Sequence, residues 1–136
     1  MAMFRKDFQD LALVRVREAE ALLAAGLFDG AYYLGGLAVE CALKACIAKA
    51  TQQYEFPDLN RTRRLYSHNL DDLLREAELQ DLMRNTDTQI RLEWGKVSTW
   101  RIESRYRLGV SESDATEFVR VIAAPQGILS WRIQYW

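Results

Sequence analysis

Residues 30–50 read GAYYLGGLAVECALKACIAKA, and the fold turns on how this stretch is read. Only Glu40, Lys44 and Lys49 are charged, and none of the first ten residues is. A helix apolar on most sides must be buried on most sides. Small residues recur at Ala31, Gly35, Ala38, Ala42 and Ala45, spaced four, three, four, three. That spacing puts them on one helix face, where a neighbouring helix can come close. Gly35 and Gly36 each cost roughly 1 kcal/mol against Ala inside a helix, and close packing is the natural offset. Leu34, Leu37, Cys41, Leu43 and Ile47 fill the other faces. The stretch predicts the central helix of an all-α domain.

Working outward, residues 4–25 predict a first helix with a stripe of Phe8, Leu11, Ala12, Val16, Ala19, Leu22 and Leu23. Gly26 reads as its C-cap and Asp29 as the N-cap of the central helix. A join this short implies an antiparallel hairpin. Residues 51–66 hold Pro57 and Arg61, Arg63 and Arg64 without a sustained period, and read as a long loop. A third helix is predicted from Ser67, with Asp71 and Asp72 in its first turn. Residues 79–100 predict a fourth helix, weakened by Gly95. Ser111 with Asp114 resembles a capping box opening the last helix, which Pro125 should kink or restart. Ile128, Leu129, Ile133 and Trp136 continue an apolar stripe to the last residue.

Composition narrows the function classes. The chain has 136 residues, the size of one domain, and a net charge of −1. Nucleic-acid binding therefore needs a local patch. No apolar run is seen to reach the roughly 20 residues of a membrane span, and the N-terminus does not read as a signal peptide. Cys41 and Cys46, five apart on one helix, diverge by about 140° and cannot bridge. Free buried thiols suit a reducing cytoplasm. One His and two separated Cys do not make a tetrahedral metal set. No cofactor is expected.

Residues 31–45 resemble the second-helix signature of HEPN (higher eukaryotes and prokaryotes nucleotide-binding) domains. The match is closest at Val39-Glu40-Cys41-Ala42-Leu43-Lys44-Ala45. Two further points are similar: the run Ser67-His68-Asn69-Leu70-Asp71-Asp72-Leu73, and the pair Arg105-Tyr106 before the last helix. The resemblance implies an up-and-down bundle of five to six helices over residues 1–136.

Glu40 and Lys44 share a helix face. Without the resemblance they read as an exposed ion pair worth about 0.3–0.5 kcal/mol. With it, Glu40 lines a site. His68, the only histidine, reads either as structural or as a phosphate contact or general base. Arg63 and Arg64 form one basic cluster with Arg61; Arg101 and Arg105 form another with Arg107, beside Trp100 and Tyr106. Arginine beside aromatic rings suits phosphate contact with base stacking. Ribonuclease members of the family carry Arg, four to six residues, then His. Arg63 and His68 satisfy that spacing, although the family places the motif beside its last long helices.

The resemblance implies three functions. One is a nucleotide- or RNA-binding module without its own catalysis, paired with a small nucleotidyltransferase in a toxin–antitoxin or phage-defence system. Another is a metal-independent ribonuclease toxin using Arg63 and His68. The third is a structural dimerisation partner. A homodimer is expected from the C-terminal stripe and from the family's two-fold pairing.

Overall fold

A computed structural model describes residues 5–53, 66–133 and 136, with the side chains of 50–53 and 132–133 left aside. The described residues form an all-α bundle. In chain order the helices are α1 (Arg5–Ala24), α2 (Phe28–Gln53), α3 (Leu70–Glu76), α4 (Gln80–Asn85) and α5 (Thr88–Val97). A 3₁₀ turn (Ile102–Tyr106), α6 (Glu112–Ala123) and α7 (Ile128–Ile133) follow.

Helix α2 is the axis of the molecule. The hairpin partner α1, then α3, the 3₁₀ turn, α6 and α7 all pack on it. Its small-residue face is closed: Ala31, Ala38, Ala42 and Ala45 have no exposed surface. At Gly35 the neighbour is α6, whose Phe118 ring lies 3.4 Å from where a Cβ would stand. At Gly36 the neighbour is a side chain. A Cβ there would lie 2.2 Å from Cε2 and Nε1 of Trp100, which is wholly buried. Leu43, Ile47, Leu70, Leu73, Val97, Ile122 and Ile128 complete the core.

Local signals set the ends of the elements. Gly26, at φ +76°, closes α1. The amide of Leu27 bonds Leu22 O and that of Gly26 bonds Leu23 O, a Schellman pair. Ser111 caps α6 by accepting from the Asp114 amide at 3.0 Å. Pro125 separates α6 from α7, as its fixed φ and missing N–H require.

Four expectations are corrected. Asp29 is not an N-cap: α2 begins at Phe28, and Asp29 Oδ1 instead accepts from the Val110 amide at 2.8 Å, tying the segment before α6 to the head of α2. Helix α3 is capped by Asn69, which accepts from the Asp72 amide at 3.0 Å, while Ser67 Oγ accepts from the Asn69 amide. The single fourth helix is two, α4 and α5, because Asp87 accepts from the Ile90 amide and starts a fresh helix. Gly95 is helical and has open space around it. Last, residues 28–49 are a helix long and apolar enough to cross a membrane by length and composition. Of its most apolar 18 residues, 72% are buried inside the bundle, so here it is the core helix.

The apolar C-terminal stripe is also used internally. Ile128 and Leu129 are buried and Trp136 packs on the core. Among its described side chains, Ile128 and Leu129 leave almost no exposed surface to motivate a dimer.

Candidate functional site

In its fourth and fifth turns α2 stops being apolar, and there the site forms. Glu40 is 4% exposed and Lys44 8%. The expected exposed ion pair is therefore a buried one, with Nζ 3.4 Å from Glu40 Oε2. A buried carboxylate is costly unless paired and hydrogen-bonded. Glu40 meets that demand on both oxygens, since its Oε1 lies 2.9 Å from Nδ1 of His68.

His68 reaches Glu40 from the turn before α3. The Ser67 and Asn69 hydrogen bonds fix that turn, and α3 buries Leu70, Leu73 and Leu74 behind it. A carboxylate only accepts, so Nδ1 carries the hydrogen. The His68 side chain is 49% exposed, so Nε2 is the ring nitrogen left to meet a ligand. The arrangement is a chain running from a buried ammonium through a buried carboxylate to an imidazole at the surface. Beside it, Cys41 is buried. Desolvation first, and then the Glu40 charge, push its thiol up to about 11, against the pull of Lys44 and Arg15. It is an inert thiol at neutral pH.

The second arginine cluster is placed differently. Arg101 Nη1 donates to the carbonyls of Ser98 and Trp100, each at 2.9 Å, and so caps the end of α5. Arg105 lies over the exposed Tyr106 ring at 4.9 Å. Among the described residues no hydrogen bond or ion pair joins Arg101, Arg105 or Tyr106 to Glu40, Lys44 or His68. Arg61, Arg63 and Arg64 lie outside the described residues.

Two features escaped the sequence reading. Arg107 turns back over Tyr32 of α2 at 5.6 Å, and the other neighbour of Tyr32 is Phe118, 4.3 Å away between ring centroids. With Asp114 they line a notch of about 300 Å³. Glu93 is buried with Gln89 donating to its Oε1, while Oε2 has no partner among the described residues. Neither is signalled locally: the partners of Tyr32 lie 75 and 86 residues along the chain, and Glu93 stands in no motif.

The bundle packed around one apolar core helix defines an all-α helical domain. The HEPN domain family model matches residues 7–134, nearly the whole chain, and the chain belongs to that family. No curated protein and no solved structure matches it.

Proposed function

We propose that this chain is a nucleotide- or RNA-binding HEPN domain whose phosphate contact is His68. One observation carries the reading: a buried Glu40, bonded at both oxygens, holds a half-exposed imidazole by Nδ1. A structural histidine needs no buried ion pair behind it. In this reading Glu40 is a positioning residue and Lys44 holds its other oxygen. Protonated, His68 donates from Nε2 to a phosphate oxygen.

The test is affinity for ATP and short single-stranded RNA at two salt concentrations. His68→Ala should weaken RNA binding and lower the salt slope by about 0.7, the share of one phosphate on a single strand. Equal affinity and slope in wild type and variant would sink the assignment.

The same hydrogen bond favours a second reading. In a metal-independent endoribonuclease, His68 Nε2 would take the proton from a ribose 2′-hydroxyl as that oxygen attacks the adjacent phosphorus. The 5′-oxygen would leave with a proton from solvent water, giving a 5′-hydroxyl and a 2′,3′-cyclic phosphate, and Arg63 would contact the phosphate. Cleavage by wild type and not by His68→Ala would select this reading over pure binding. On the resemblance we also assign a homodimer and a nucleotidyltransferase partner in a toxin–antitoxin or defence pair, and on the free buried thiols a reducing cytoplasm. Co-purification of the two chains tests the latter.

A further inference from the structure

The notch at Tyr32 is chemically unlike the His68 site. It is shaped by the head of α2, by α6 and by the segment between the 3₁₀ turn and α6, which Asp29 pins through Val110. Two cations, Lys96 and Arg107, face two anions, Asp114 and Glu117, so its net charge is zero. A balanced site does not select a bare phosphate. Lys96 and Glu117 pair with each other. The Arg107 guanidinium lies over the Tyr32 ring, and neither it nor the Asp114 carboxylate has an ion-pair partner among the described residues. Burial raises the Tyr32 phenol above its ordinary 10.0, against the pull of Arg107 and Arg101, so the aromatic wall stays neutral.

We propose that this notch seats a guanine base. A carboxylate offers only acceptors and a guanidinium only donors. The ligand edge that satisfies both carries N–H donors beside a carbonyl oxygen. Guanine alone among the four common bases places two donors, N1–H and the exocyclic amine, next to such an oxygen, O6. Asp114 accepts the first two and Arg107 donates to the third, as arginine does to guanine O6 elsewhere. The Tyr32 and Phe118 rings give the flat body of the base apolar surface to lie against. The volume stands at the low end of small-molecule sites, roughly 300–1,000 Å³; it holds one base or nucleoside, not an oligonucleotide.

This proposal rests on the nucleotide-binding reading, and the experiment separates the two. Titration calorimetry is run with GMP, IMP and AMP, and with short single-stranded RNAs with and without guanine, on wild type, Asp114→Asn and Arg107→Lys. Melting curves check that the variants fold. Guanine ligands should bind about tenfold or more tighter than their counterparts. IMP, lacking the exocyclic amine, should fall between GMP and AMP. Asp114→Asn should erase the preference while leaving guanine-free RNA unchanged, and Arg107→Lys should weaken it. Selectivity among mononucleotides identifies a free nucleotide as the ligand; selectivity only among RNAs identifies a strand. RNA bound without guanine preference, or a preference that both variants keep, overturns the notch and spares the His68 reading. No binding to any ligand overturns both.

Discussion

Gly35 and Gly36 are neighbours that answer to different partners. At Gly36 an added Cβ would fall 2.2 Å inside Trp100, a side chain with no exposed surface to retreat into. At Gly35 it would meet Phe118 at 3.4 Å, an ordinary contact. Overpacking a well-filled core costs about 1–3 kcal/mol and sometimes more, while Gly→Ala in a helix gains roughly 1 kcal/mol. Gly36→Ala should therefore lower stability by about 2 kcal/mol or more in a denaturant titration, and Gly35→Ala should stay within about 1 kcal/mol of wild type. Gly35→Leu, which carries its branch into Phe118 and Ile122, should cost several times more than Gly35→Ala. The reverse order for the two alanines would mean that Trp100 does not sit on Gly36. The alternation of small residues made the close-packed face legible; it could not tell that one glycine faces a helix and the other an indole, because Trp100 lies far along the chain.

Cys41 gives a second prediction at this scale. Burial raises its thiol from 9.0 to about 11 in the folded chain. Below pH 9 the thiol is protonated in both states and pH has no effect through it. Above pH 9 the unfolded chain loses its proton first, so stability falls as pH rises towards 11, by on the order of 2 kcal/mol. Comparing the pH dependence of unfolding in wild type and Cys41→Ala isolates this group from lysines and tyrosines. Parallel curves between pH 8 and 11 would contradict it.

Among the elements, helix ends show what can be read locally. Gly26 and Ser111 act as their residue types suggest, because each cap is made within a few residues. Asp29 looked equally competent, but its carboxylate is taken by an amide 81 residues away. Ser67 and Asn69 both could cap α3, and the choice fell to Asn69. The end of α3 had no signal at all. Glu78 takes φ +59° and closes a Schellman pair, with Leu79 N bonding Leu74 O and Glu78 N bonding Arg75 O. Glycine is the usual residue there, because a Cβ in the left-handed region costs roughly 1–2 kcal/mol. Glu78→Gly should accordingly raise the melting temperature, with a gain of up to about 1 kcal/mol after the entropy of glycine is subtracted. A lower midpoint would mean that Glu78 makes an interaction worth more than its strain.

For the molecule as a whole, one apolar helix organises everything, and that much was legible from residues 30–50. The site was legible only in part. Spacing put Glu40 and Lys44 on one face, and the resemblance drew attention to His68; burial of the pair, which decides its chemistry, depends on how the rest of the bundle packs around α2. The arginines around residue 101 could not be sorted by composition. Arg101 serves a helix end and Arg107 an aromatic notch, and only the folded chain separates the two. With Ile128 and Leu129 buried, the homodimer rests on family pairing; sedimentation at micromolar concentration should give twice the 15.7 kDa chain mass, and a clean monomer would remove it.

The central claim is that His68, held by Glu40, meets the ligand through Nε2. The chain has a single histidine, so imidazole nitrogen resonances report on that residue alone. In a titration of labelled protein with short single-stranded RNA, the Nε2 resonance of His68 should move and saturate while the Nδ1 proton stays on its nitrogen, bonded to Glu40. RNA binding that shifts resonances elsewhere and leaves His68 unmoved would contradict the account.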